Sequence, residues 1–212
     1  NADGNADIVC ARRTSQLLGG VQIWLGDGKG GWPVETGPES FGEYNDVVAS
    51  DFNEDGHLDI AASGWGKNSA LTIWFGDGAG GWSFGKTLAE GSWYRITAED
   101  IDRDGHMDLL AGSYRSGVAV LKGTGSGAFT KTSVGEEGSF WKPVAIDQDG
   151  DGILELIAGS LDSTGIQGFK MSPSKNGYVR FSDPYPDRGT FYDLTVSDLN
   201  DDGIDDLCAA SY

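Results

Sequence analysis

Residues 100–108 read Asp100-Ile101-Asp102-Arg103-Asp104-Gly105-His106-Met107-Asp108. Acids fall at the first, third, fifth and ninth places, with a glycine at the sixth. The pattern Asp-x-Asn/Asp-x-Asp-Gly-x-x-Asp/Glu returns at Asp51, Asn53, Asp55 and Asp59. It returns again at Asp147, Asp149, Asp151 and Glu155, and at Asp198, Asn200, Asp202 and Asp206. A truncated copy opens the chain, with Asn1, Asp3 and Asp7 at its later places. Recurrence about every 50 residues is the signature of a repeat architecture.

Carboxylates crowded into one tight turn repel one another. At an effective dielectric near 20, a pair about 4 Å apart costs about 4 kcal/mol. A chain that repeats this arrangement needs a counter-charge, and a divalent cation supplies it. Calcium accepts six to eight oxygens in flexible geometry, whereas magnesium prefers to keep its waters. The first, third, fifth and ninth places offer side-chain oxygens. The seventh offers a backbone carbonyl, from His57, His106, Ile153 and Ile204. Gly56, Gly105, Gly152 and Gly203 stand where the loop must turn sharply. An EF-hand would place a bidentate glutamate at the twelfth place, between helices; here that place holds Ala62, Ala111, Ala158 and Ala209. The expectation is four to five structural Ca2+ sites.

The 212 residues carry a formal net charge of -18. About half of the 33 acidic residues lie in the five loops, so much of that charge is an inventory of ligands. Nucleic acid is not expected as a partner of such a chain, because phosphate binding needs clustered lysine and arginine. No apolar run is long enough to span a bilayer, and membrane insertion is not expected. Loops of this kind fill at the millimolar calcium found outside cells, which points to a secreted or cell-surface setting. Cys10 and Cys208 fall one residue apart in the repeat register. They are read as two buried thiols in preference to a disulfide.

Each repeat contains four strand-like runs. In the second unit these are Tyr44 to Ser50, Asp59 to Ser63, Leu71 to Phe75, and a run starting at Trp82 after the turn Gly76-Asp77-Gly78-Ala79-Gly80-Gly81. Aromatics recur before each loop, as Tyr44, Trp93-Tyr94, Phe140-Trp141 and Phe191-Tyr192. They suit the wedge between neighbouring sheets. The expected fold is all-β: a β-propeller of four-stranded antiparallel blades of about 50 residues, with the calcium loop between the first two strands. Residues 1–212 form a single partial propeller. Its blades lie at about 1–43 (lacking the first strand), 44–92, 93–139, 140–190 and 191–212 (the first two strands only).

These loops, strands and turns resemble the FG-GAP and VCBS repeats of integrin α-subunit-like propellers, over essentially the whole chain. Phe75-Gly76 stands in one unit, but no Gly-Ala-Pro follows it. The chain is therefore more similar to the secreted VCBS-type repeats than to an animal integrin. The resemblance implies a calcium-stabilised extracellular recognition platform of six to eight blades, with the remaining propeller segments outside this chain.

Three functions compete. The first is a non-catalytic module for adhesion or surface assembly, with an extracellular protein or glycan as partner. The second is a lectin, in which Trp32, Trp65 and Trp82, in or beside turns, would stack on sugars; a core role is the alternative for each. The third is the propeller part of a polysaccharide-degrading enzyme. His57 and His106 are the only histidines and both occupy loop places, so a histidine-based triad is poorly supported and the chain is read as no enzyme. Arg95 and Lys142, which alternate with Asp46 and Asp193 at one repeat place, are weak ligand-binding candidates.

Overall fold

Asp59-Ile-Ala-Ala-Ser, Asp108-Leu-Leu-Ala-Gly-Ser and Glu155-Leu-Ile-Ala-Gly-Ser are apolar at every residue between the opening acid and the closing serine, without alternation. Such runs suit strands covered on both faces. The computed structural model describes residues 3–13, 20–39, 41–66, 70–134, 138–162, 165–172, 177–181 and 189–211, with 34–36 as backbone alone. In it each of these runs is a buried strand inside an antiparallel sheet.

The described chain is all-β. The first sheet holds β1 (Ile8–Arg12), β2 (Gly20–Trp24) and β3 (Val34–Glu39). The second holds β4 (Glu43–Ser50), β5 (Asp59–Trp65), β6 (Ala70–Gly76) and β7 (Trp82–Glu90). The third holds β8 (Trp93–Glu99), β9 (Asp108–Ser113), β10 (Val118–Gly123) and β11 (Phe129–Val134). The fourth holds β12 (Phe140–Ile146), β13 (Glu155–Ser160), β14 (Ile166–Met171) and β15 (Tyr178–Arg180). The fifth holds β16 (Phe191–Ser197) and β17 (Asp206–Ser211). Strands follow one another in chain order within every sheet, as in the blades of a propeller. Each acidic loop from 51 onward joins the first two strands of its sheet.

The core lies between sheets. Four apolar clusters fill the four gaps between successive sheets, one of them around Phe52, Leu71, Ile73, Trp93, Leu109 and Leu121. Burying one such side chain contributes roughly 1.5–3 kcal/mol. The leading strands β4, β8, β12 and β16 run beside one another. Cross-links between sheets reinforce them: Asn45 Nδ2 donates to the Trp93 carbonyl at 2.8 Å and Thr97 Oγ1 to the Pro143 carbonyl at 3.0 Å.

Every leading strand breaks register at the same place, between Tyr44 and Asp46, Trp93 and Ile96, Phe140 and Pro143, and Phe191 and Asp193. A bulge there bends the strand and re-aims its side chains. The bulge presses on the second strand of the preceding sheet. Gly112 lies under the Phe140 and Trp141 carbonyls, where a Cβ would collide with both. Gly159 lies under Phe191, where a Cβ would come within 2.8 Å of the carbonyl oxygen. At the equivalent place Ser63 is fully buried and donates to the Tyr94 carbonyl at 3.1 Å.

The aromatics before each loop divide by place. Tyr44, Trp93, Phe140 and Phe191 are buried between sheets. The next residues run along the rim where the leading strands begin: Tyr94 packs on Trp141, and Trp141 meets Tyr192 edge-on. The expected burial of the two cysteines is corrected. Both thiols are free, Cys10 is half-buried and Cys208 is exposed. β5, β9 and β13 are sandwiched within their sheets, whereas among the described residues β17 pairs with β16 alone, so its surface stays open.

Candidate metal centres

The acidic loops are built by their own carboxylates. At the first place, Asp51 accepts from the amides of Asp55 (3.2 Å) and Gly56 (2.9 Å), Asp100 from Asp104 (3.0 Å) and Gly105 (2.9 Å), and Asp198 from Asp202 (3.1 Å) and Gly203 (2.8 Å). At the fifth place, Asp55, Asp104, Asp151 and Asp202 accept from the amides of His57, His106, Ile153 and Ile204, at 2.7–2.9 Å. These bonds wind the backbone around a common centre. The winding needs two left-handed residues per loop. One is the sixth-place glycine, with φ between 84° and 93°. The other is the fourth residue: Glu54 (57°), Arg103 (59°), Gly150 (73°) and Asp201 (60°). Left-handed backbone is uncommon outside glycine.

The ninth place has a second role that its residue type does not announce. Asp59 accepts from Phe52 N at 2.9 Å on one oxygen and from Gly76 N at 3.1 Å on the other. Asp108 does the same with Ile101 N (3.0 Å) and Gly123 N (2.7 Å). Glu155 accepts from Gln148 N and Asp206 from Leu199 N, at 3.0 and 2.9 Å. In the opening loop Asp7 accepts from Gly26 N at 2.8 Å, and Asp3 from Asn5 N at 2.8 Å; Asn1 lies outside the described residues. Asp59 and Asp108 thus tie the start of their loop to the end of the third strand of their sheet. Asp59, Asp108 and Glu155 are buried. Burial pushes the Asp108 carboxyl up to about 6 against the pull of its two amides, and Asp102 and Asp104 push the same way. Burial likewise raises Asp59 and Glu155, followed by amide bonds that lower them and by loop acids that raise them.

Two loops bring three acidic oxygens within 4.8 Å of one another, through Asp100, Asp102 and Asp108, and through Asp147, Asp149 and Glu155. Both clusters could hold a metal ion. In the loops at 51–59 and 198–206, asparagine takes the third place, with an amide oxygen as its donor. The donor set is oxygen throughout, which suits a hard divalent cation. Asp147 Oδ1 is buried without a hydrogen-bond partner, a cost the protein avoids when something positive sits there.

Neighbouring charges enter these loops. Lys122 Nζ lies 2.6 Å from Asp102 Oδ2, and Arg103 Nη2 lies 3.8 Å from Asp147 Oδ2. Glu54 Oε1 lies 2.5 Å from His106 Nδ1 and raises the imidazole above its ordinary value. None of these three contacts is legible in the loop pattern.

The five ligand candidates separate into two groups. Trp65, Arg95 and Lys142 lie at the rim where the leading strands begin. There Trp65 stacks on Tyr94 with centroids 5.0 Å apart. Arg95 pairs with Asp46 at 3.5 Å and lies over the Trp141 ring, and Lys142 pairs with Asp193 at 3.1 Å. The alternation of charge at that repeat place therefore links neighbouring leading strands. Trp32 and Trp82 sit at the loop-bearing end. Trp32 is exposed, and Trp82 lines a cavity of about 330 Å3 between the first two sheets, with Ile8, Ile60, His57 and Asp77. The Gly-Asp-Gly turns there are self-capped: Asp27 accepts from Lys29 N and Gly31 N, Asp77 from Ala79 N and Gly81 N.

The FG-GAP-like repeat family matches the chain three times, over residues 1–62, 51–111 and 100–158. Each match runs from one acidic loop into the strand after the next. The chain belongs to the FG-GAP-like repeat family. No curated protein matched it.

Proposed function

We propose that this chain is a run of calcium-stabilised blades from a larger extracellular β-propeller, acting as a non-catalytic recognition or adhesion module. The carrying observation is the loop geometry: the same amide bonds wind all four loops, two of them bring three acidic oxygens within 4.8 Å of one another, and Asp147 Oδ1 is left unpartnered. Calcium bound there would neutralise acids that otherwise repel one another across each loop. It would also fix the turns between the first two strands of each sheet. Asp51, Asp100, Asp147 and Asp198, with their third-, fifth- and ninth-place partners, would supply the oxygens.

The recognition role rests on family membership and on the rim. Tyr114 and Tyr192 are exposed there, in contact with Tyr94 and Trp141. Contiguous aromatic faces favour a glycan as the second reading, since they stack on pyranose rings. A glycan array probed in millimolar calcium, with a chelator control, separates the two. Saturable, calcium-dependent binding to one sugar class, lost in Tyr114→Ala, supports a lectin. Absence of sugar binding by the folded protein supports a protein partner.

A further inference from the structure

The four complete loops differ in acid count, and the difference is compensated. The loops at 51–59 and 198–206 have three acids and one asparagine among the four side-chain positions. The loops at 100–108 and 147–155 have four acids each. Among the described residues, only these two richer loops have a lysine or arginine paired with one of those side chains. Lys122 reaches Asp102, the third-place acid itself, at 2.6 Å. Arg103 reaches Asp147, the first-place acid, at 3.8 Å. With each pair counted, all four loops present the same net charge of three negatives at these positions.

The two cations come from different directions. Lys122 projects from β10 of the same sheet. Arg103 belongs to the preceding loop, where it occupies the left-handed fourth place. Glu54 holds the equivalent place one loop earlier and likewise reaches forward, to His106. In the first and second complete loops the fourth-place side chain therefore reaches the next loop.

We infer that Lys122 and Arg103 are tethered counter-ions that set the cation affinity of the second and third complete loops. This rests on the metal-binding reading above. An entering divalent cation meets a like charge already placed on one of its ligand carboxylates. The fourth acid strengthens attraction, and the tethered cation offsets it. A loop without its tether becomes a tighter site, and a loop without both tether and extra acid returns to its starting affinity.

The test is calorimetric titration of the chelator-treated full chain with calcium. Lys122→Gln should tighten one site by about tenfold at low salt, and high salt should shrink the effect. Arg103→Gln should tighten a different site by less, because its contact is longer and its side chain more exposed (56% against 33%). Adding Asp102→Asn to Lys122→Gln should restore affinity to near wild type, as should Asp149→Asn with Arg103→Gln. Arg103→Lys, which keeps the charge, should stay near wild type. Unchanged or weakened affinity in both glutamine variants overturns the inference while leaving metal binding intact. Absence of calcium binding by the wild-type chain overturns the metal reading and this inference together.

Discussion

Asp104 and Asp108 look alike in the repeat pattern and differ in what they do. Asp104 is exposed and caps one exposed amide, that of His106. Asp108 is fully buried and receives two amides from different segments. Asp104→Ala should lower the melting temperature in calcium and change little in chelator. Asp108→Ala should cost about 2–4 kcal/mol in chelator as well, because two buried donors lose their acceptor. Parallel thermal melts of both variants check this, and equal losses for Asp104→Ala in the two conditions would refute a metal role for that side chain. The sequence pattern treats both alike because it records residue type and spacing. The amide of Gly123 lies 15 residues beyond Asp108, outside the loop that the pattern describes. Lys122 and Arg103 escape notice for the same reason: a side chain's reach is set by folding, and one lysine among 15 basic residues carries no mark.

Strands were the most legible elements. The runs Tyr44 to Ser50, Asp59 to Ser63 and Leu71 to Phe75 lie within β4, β5 and β6. Four repeats supply independent readings of one unit, so turn chemistry and apolar runs reinforce one another. The recurrent bulge was not legible, since it is a property of pairing between strands. It gives Gly112 its meaning. Gly112→Val would push the Phe140 and Trp141 carbonyls away from β9 and separate two sheets. The expected cost is about 1–3 kcal/mol, as for other overpacked interiors, and Gly112→Ala should cost less. Denaturant unfolding of the two variants measures it, and wild-type stability in the valine variant would refute the close approach. Local sequence alone does not predict the exposure of Cys208. Asp206-Leu-Cys-Ala-Ala-Ser resembles its buried counterparts in β5, β9 and β13, but exposure depends on neighbouring strands that the segment does not encode.

Across the whole molecule, the sheets pack on their neighbours and the loops lie at one end of every sheet. Each calcium ion at a hundred times its Kd would add about 2.7 kcal/mol to folding stability. Two filled sites would raise the melting temperature by roughly 10–20 °C for a chain of this size. Differential scanning calorimetry with and without chelator tests this, and coincident melts would remove calcium from the account of stability. The ninth-place acids also impose an order of events during synthesis. Asp7, Asp59 and Asp108 each depend on an amide 15 to 19 residues further along. A ribosome adding about 5–20 residues per second delivers that amide roughly one to four seconds later. These three loops therefore close fully only after the strand that carries or precedes that amide has emerged, and cation capture would advance along the nascent chain as successive sheets are completed.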